Sequence, residues 1–216
     1  MPSQRDLFEA RYQHIATTDR AGWSDEETIS DSIQKIQLIT NKEPKTFLEL
    51  GCGRGNIALA FADQWRVTGV DFSPAAIQWA NQLAEQQTKK ATFIEGDLTQ
   101  PWPFEDNSFD IAFDANCLHF FHGDARDHFI REAHRILKPG GTLIIDTIVN
   151  QPPQEHWAML GYDPTSRSST QNGVRMNYFT EIPELLNLVT TNGFTITSTE
   201  ISHRDDDHIW HVTEKS

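Results

Sequence analysis

The 216-residue sequence predicts an α/β fold in a single domain, on three observations. Short β-branched and aromatic runs alternate with longer amphipathic segments, the rhythm of strands joined by helices into a mostly parallel sheet. One apolar run ends in the glycine-rich turn Gly51-Cys52-Gly53-Arg54-Gly55, and an acid, Asp71, stands at the end of the next run. Pro139, Gly140 and Gly141 separate a helical pattern from the apolar stretch Thr142 to Val149. No internal repeat or low-complexity tract interrupts the pattern.

The first 40 or so residues read as helical. Ser24 stands where an N-cap belongs, with Glu27 at capping-box spacing and Ile29, Ile33 and Ile36 as the apolar stripe. Strand one is Thr46 to Leu50, followed by the glycine turn and a helix; strand two is Arg66 to Val70. Pro74 opens the next helix in the first turn, where its missing N–H is tolerated, and strand three is Ala91 to Glu95. A loop rich in proline and acid leads to strand four, Phe109 to Asp114, then to a helix over Asp124 to Leu137 and strand five, Thr142 to Val149. From Asn150 to Phe179 the rhythm breaks, and so long a connection inside a compact domain reads as a lid or binding loop. The last helix, Glu181 to Asn192, stops at Gly193, and two strands, Phe194 to Ser202 and His208 to Glu214, close the sequence.

Eighteen Lys and Arg against 31 Asp and Glu give a net charge of −13. That balance repels phosphate backbones, so no nucleic-acid partner is expected. No apolar run approaches the roughly 18 residues of a membrane span, and the N-terminus shows neither a basic leader nor an apolar signal core. A soluble, cytoplasmic protein without a membrane partner is expected. Cys52 and Cys117 are too few for a zinc site or a disulfide framework; no metal is predicted.

The glycine turn suits a ligand that approaches bare backbone, although a tight turn without a ligand would use the same residues. Asp71, at the tip of strand two, could accept hydrogen bonds from both ribose hydroxyls of a dinucleotide or an adenosyl cofactor. Asn56 occupies the place where a dinucleotide fingerprint has its third glycine, which shifts weight towards the adenosyl cofactor.

Together with Glu49 before the turn, Gly96-Asp97-Leu98 after strand three, and LKPGGTLIIDT from Leu137 to Thr147, these residues resemble the class I S-adenosylmethionine-dependent methyltransferases of the small-molecule type. The resemblance runs from about Thr46 to Thr147 and more loosely to the C-terminal hairpin. It implies a doubly wound, Rossmann-like seven-stranded sheet of order 3-2-1-4-5-7-6, strand seven antiparallel and helices on both faces, with S-adenosylmethionine as cofactor. By matched position, Gly51, Cys52 and Gly53 would face the methionine part through backbone, Asp71 would hold the ribose and Phe72 would flank adenine. Asp97 would accept from the adenine amino group, Leu98 would offer its amide, Asn116 would line the methionine and acceptor side, and Glu49 would be tied to loop amides or to the cofactor amino group. The expected organisation is a helical lid over residues 1–43, a cofactor-binding core over 44–149, an insertion over the acceptor site at 150–180, and a C-terminal helix and hairpin over 181–216.

Methyl transfer from a sulfonium is an in-line displacement, so the protein supplies alignment and a deprotonated nucleophile. His119, directly after strand four, is the candidate proton acceptor, or else a pocket wall among Leu118, Phe120 and Phe121. Candidates for the acceptor pocket are Tyr12, Trp23, His122, Arg175, Tyr178, His203 and His208. Asp205 to Asp207 accompany the last two in a polar turn whose plain reading is solvation, and His211 is expected in the sheet interior. The acceptor is expected to be a small molecule methylated on O, N or S. A protein or RNA methyltransferase, an NAD-dependent oxidoreductase and a catalytically silent cofactor-binding subunit are the alternatives.

Overall fold

The structure is a computed structural model, describing residues 2–15, 25–40, 45–203 and 207–216, with the His203 side chain outside the description. Seven helices are described: α1 (Gln4–Ile15), α2 (Glu26–Ile39), α3 (Asn56–Phe61), α4 (Pro74–Gln86), α5 (Asp124–Ile136), α6 (Trp157–Leu160) and α7 (Ile182–Thr191). The strands are β1 (Thr46–Leu50), β2 (Arg66–Asp71), β3 (Ala91–Glu95), β4 (Phe109–Ala115), β5 (Leu137–Ile148), β6 (Ser168–Gln171), β7 (Val174–Tyr178), β8 (Phe194–His203) and β9 (Asp207–Lys215). Seven of them form one sheet in the order β3-β2-β1-β4-β5-β9-β8, and β6 and β7 form a separate ribbon. With β8 and β9 counted as the sheet's sixth and seventh strands, this is the expected 3-2-1-4-5-7-6 order, and β9 runs antiparallel to β5 and to β8.

The chain forms two compact units, Arg5–Leu98 and Met1–Gln4 with Thr99–Ser216. In the first, β1 pairs parallel with β2 and β2 with β3, so the glycine turn, Asp71 and Glu95 all lie at C-terminal strand ends. All five residues of β1 are buried, and Phe47 packs beside Phe61 and Trp65, which stack on each other at 4.3 Å. Helix α2 is capped by Asp25, whose carboxylate accepts from the Thr28 N–H at 2.8 Å; Glu26 and Glu27 in its first turn complement the helix dipole. The expected cap, Ser24, lies outside the described residues, as does Trp23. Ser73 caps α4 by accepting from the Ala76 N–H, with Pro74 in the first turn.

In the second unit β4 pairs parallel with β5, bringing Ala115 opposite Asp146. Strand β5 begins at Leu137, earlier than expected: Lys138 to Gly141 continue it, and the Lys138 ammonium is held by both oxygens of Asp110 at 2.9 Å. The segment expected as a loop is ordered by its own chemistry. Asn172 and Gly173, both at positive φ (53° and 77°), make the tight turn between β6 and β7. Tyr162 and Phe179 form a buried cluster with Ile148, packed by Trp157 and Leu160 of α6. Buried His211 lies in the sheet as expected, its Nδ1 at 2.8 Å from the Thr199 hydroxyl.

Candidate cofactor and acceptor sites

The glycine turn in the first unit is held from two sides. The Gly51 and Cys52 amides both donate to Val70 O at 2.9 Å, and the Gly55 amide donates to Cys52 O at 2.8 Å. Gly53 (φ +53°) and Gly55 (φ +74°) adopt the left-handed conformation, and neither has room for a side chain. A Cβ on Gly53 would sit 2.7 Å from the Tyr12 hydroxyl, and one on Gly55 2.4 Å from the Phe93 ring. Asp71 ties β2 to the turn: Oδ2 accepts from the Gly53 N–H and Oδ1 from the Ser73 N–H, each at 2.9 Å. Each carboxylate oxygen keeps further lone-pair capacity for a hydroxyl donor. Burial pushes the Asp71 pKa up to about 6, against the pull of the backbone amides.

Glu49, also buried, accepts from the Ala58 N–H in the first turn of α3 at 2.9 Å. Burial pushes its pKa up to about 8, and the Asp71 carboxylate adds to the effect. Helix α1 lies against the same turn. Phe8 meets Phe72 edge to face at 5.6 Å, the Ser73 hydroxyl donates to Glu9 Oε2 at 2.5 Å, and Tyr12 covers Gly53. The roles of Glu9 and Ser73 carry no sequence signal, because their pairing spans 64 positions. Beyond β3, the Gly96 N–H donates to Asp71 O at 3.0 Å. Asp97 is exposed and Leu98 buried at this strand end. The structure thus brings Glu49, Gly51, Cys52, Gly53, Asp71, Phe72, Asp97, Leu98 and Tyr12 into the first unit, at or beside its C-terminal strand ends.

In the second unit, Asn116 sits just past β4 at φ +59°. Its Nδ2 donates to Asp146 Oδ2 at 3.3 Å, which leaves Oδ1 buried without a hydrogen-bond donor. Asp146 Oδ1 lies 3.4 Å from His208 Nδ1. A carboxylate only accepts, so Nδ1 carries the proton and the neutral ring presents Nε2 as its basic nitrogen. Asp114 accepts from the Cys117 and Leu118 amides at 2.9 Å through Oδ1, shaping the short helical turn Leu118–Phe120. Its Oδ2 is buried and unpartnered, and burial pushes its pKa up to about 8.

His119 is 4 % exposed, with Nδ1 3.3 Å from the Thr147 hydroxyl and its ring 4.3 Å from that of Phe120. Burial pushes its pKa down to about 3, with His208 and Arg126 adding to the effect, so the imidazole is neutral at ordinary pH. His122 donates from Nε2 to Met176 O at 2.9 Å and meets the Tyr178 ring edge to face. Arg175 and Tyr178 stand on β7, where the Gln4 side chain donates to Arg175 O at 3.4 Å. His203 ends β8, with its side chain outside the description, and Asp205 and Asp206 are likewise outside the described residues. Among the described residues no group of three or more His, Cys, Asp or Glu could hold a metal ion, and no helix is long and apolar enough to cross a membrane.

One unpartnered atom in the second unit and one carboxylate with spare lone pairs in the first test, each by itself, whether an aminoacyl nucleoside cofactor fits. Asn116 Oδ1 is a buried acceptor lacking a donor, which an ammonium group would supply. The glycine turn and the lone-pair capacity of Asp71 suit a ribose brought against bare backbone. Within each unit the residues present suit the part of the group named.

Residues 47–141 match the family model described as "Methyltransferase domain". Norajmaline N-methyltransferase of Rauvolfia serpentina is 31% identical over 109 residues, 49% of this chain and 36% of that protein. Demethylmenaquinone methyltransferase of Thermus thermophilus is 33% identical over 116 residues, 51% of this chain and 50% of that protein. The chain therefore spans about half or less of the length of these curated relatives. Among solved structures, the 1,6-didemethyltoxoflavin-N1-methyltransferase of Burkholderia thailandensis, bound to 1,6-didemethyltoxoflavin and S-adenosylhomocysteine, superposes with a TM-score of 0.74 at 23% identity. That likeness covers 98% of this chain and 87% of the other, and it is a likeness of fold. The glycine turn with its paired acid, the seven-stranded order and the family match together assign residues 47–141 to the class I S-adenosylmethionine-dependent methyltransferase family.

Proposed function

We propose that the protein is an enzyme that transfers a methyl group from S-adenosylmethionine to O, N or S of a small-molecule acceptor. The observation that carries this reading is the Asp71 carboxylate, which accepts from the Gly53 and Ser73 amides and keeps lone pairs for a ribose. When bound, S-adenosylmethionine supplies an electrophilic methyl group on a positively charged sulfur. Asp71 would hold the ribose, Phe72 and Leu98 the adenine ring, Asp97 the adenine amino group, and the Gly51–Gly53 backbone the methionine part. Asn116 would offer its unpartnered Oδ1 to the ammonium group. Glu49 keeps α3 and the turn in place through Ala58. Tyr12 lies over the turn at Gly53, which supports an N-terminal lid.

The acceptor needs alignment and, where its heteroatom is protonated, a base. His119 is kept neutral by burial, which suits a wall that orients the acceptor by hydrogen bonding. A base with so low a pKa takes a proton poorly near neutrality. His208 is the proposed proton acceptor, since Asp146 fixes its tautomer and leaves Nε2 free to face the acceptor. His122, Arg175 and Tyr178 complete the proposed acceptor pocket, with the 150–180 insertion as its cover. The relatives' printed names, a norajmaline and a demethylmenaquinone methyltransferase, support a small organic acceptor, and the net charge of −13 disfavours nucleic acid.

The test is transfer of radiolabelled methyl from S-adenosylmethionine into a cell extract, followed by separation of small-molecule and macromolecular fractions, with Asp71→Ala as control. Label in the small fraction that disappears in the control supports the reading. Label in protein or RNA redirects it to a macromolecular acceptor, and tight cofactor binding without label in any fraction refutes catalysis.

A further inference from the structure

The second unit contains a cavity of about 350 Å³ walled by the start of α5, by α7 and by the β6–β7 ribbon. His122, Arg126, Ser168, Arg175, Tyr178 and Glu184 are among its lining residues. Two carboxylates reach it, and both are already committed. Glu184 takes the Arg167 guanidinium on one oxygen at 2.5 Å and the Tyr178 hydroxyl on the other at 2.8 Å. Asp127 holds Arg131 at 3.2 Å and the Asn192 amide at 3.0 Å.

The cations are not committed in the same way. Arg126 is 5 % exposed and makes no ion pair among the described residues. One of its terminal nitrogens donates to Leu118 O at 3.1 Å, while Nη2 is buried with no acceptor, and the Tyr178 ring lies 4.9 Å from the guanidinium carbon. Arg175 is exposed, and its guanidinium makes no hydrogen bond among the described residues. A buried arginine without a hydrogen-bonded carboxylate is costly: Leu118 O, the Tyr178 ring and the nearby charges of Glu184 and Asp114 offset part of its desolvation, and Nη2 is left without an acceptor. A second arginine, Arg175, stands exposed at the rim of the same cavity. Planar guanidinium groups with free donors match the oxygens of a carboxylate or phosphate, and such charge-assisted bonds are the strong ones.

We propose that this cavity binds an oxyanion, the carboxylate or phosphate group of a small molecule, held between Arg126 and Arg175. The cavity and its charges belong to one unit, and the proposal stands without the methyl-transfer reading. The oxyanion is either a group on the methyl acceptor, which would rest on that reading, or a separate small anion.

The test uses the full chain, with inorganic phosphate and acetate as probes replacing chloride at constant ionic strength. The thermal midpoint should rise saturably with phosphate or acetate relative to chloride. Arg175→Gln, an exposed change that spares the core, should weaken the response about tenfold, the effect of one charge-assisted hydrogen bond. Arg126→Met should abolish the response while leaving the midpoint in chloride unchanged or higher, because it removes a buried charge; a purely structural arginine would lower it. If Arg126→Met does not fold, Arg175→Gln still decides. A response no larger than with chloride, or one unchanged in Arg175→Gln, overturns the proposal. The two sources separate on the radiolabelled product. Product retained by an anion exchanger and lost in Arg175→Gln assigns the oxyanion to the acceptor, whereas an uncharged product beside an intact phosphate response assigns a separate ion. Both uphold the cavity. No labelled product with an intact phosphate response counts against methyl transfer and leaves the cavity standing.

Discussion

Glu49→Gln tests whether the cofactor half-site is built around a protonated acid. Glu49 is buried, accepts from the Ala58 N–H at 2.9 Å, and has its pKa raised from 4.5 to about 8, chiefly by burial. The unfolded chain releases this proton near the ordinary glutamate value, whereas the folded protein keeps it to about pH 8. Folding is therefore coupled to retaining a proton across that window, and stability falls as pH rises through it. The slope from this one group is on the order of 1 kcal/mol per pH unit, or roughly 3 kcal/mol between about pH 5 and about pH 7. Above the folded pKa both states are ionised and the contribution flattens. Glutamine keeps an acceptor oxygen for Ala58 and has no proton to lose, so wild type and variant should nearly coincide near pH 5, with the variant gaining steadily towards pH 8. Urea unfolding followed by circular dichroism across that range measures the difference. Parallel stability curves would falsify the reasoning, because they would mean that Glu49 is already ionised in the folded protein.

Other consequences follow from the same geometry. Asp71→Ala should weaken S-adenosylhomocysteine binding by at least about tenfold in calorimetry, the scale of hydrogen bonds to a charged group. In the wild type the affinity should decline as pH falls through about 6, where the Asp71 carboxylate takes up a proton, and Asp71→Asn should lack that decline. Gly53→Ala should cost about 1–2 kcal/mol for the left-handed backbone, with a further loss from pressing on the Tyr12 hydroxyl at 2.7 Å. Adding Tyr12→Phe should restore the second part only, as a double-mutant cycle by urea unfolding would read. His208→Ala should lower kcat while cofactor affinity is kept. His119→Ala should chiefly raise the KM for the acceptor, and an equal fall in kcat for both variants would remove the distinction between base and wall.

Much of the fold is legible because its signals are local. Strand β3 is read at its observed limits from five residues, and α4 from Pro74 with its apolar spacing. Each depends on side-chain period and on residues with restricted backbone freedom, which act within a few positions. The irregular composition of the insertion reads as a loop, yet Asn172-Gly173 carries the strongest short-range hairpin signal in that stretch, and the chain turns there with both residues at positive φ. Its burial could not be read, since Tyr162 and Phe179 find Ile148 only after the sheet has formed.

The site divides along the same line. The glycine turn and Asp71 are legible because a backbone that must bend sharply against a ligand has few residues to choose from. The second unit works through pairs far apart in sequence: His208 and Asp146 are 62 positions apart, and Asn116 and Asp146 are 30 apart. What joins them is strand register, because antiparallel β9 sets His208 opposite Ile148, at the end of β5 that carries Asp146. A one-residue slip of β9 would turn His208 to the other face of the sheet and leave Asp146 with Asn116 alone. The proposed base is thus a property of pairing between strands. His119 and His208 look equivalent as letters in the sequence; burial keeps the first neutral, and a carboxylate at 3.4 Å orients the second, which is the basis for the proposed wall and the proposed base.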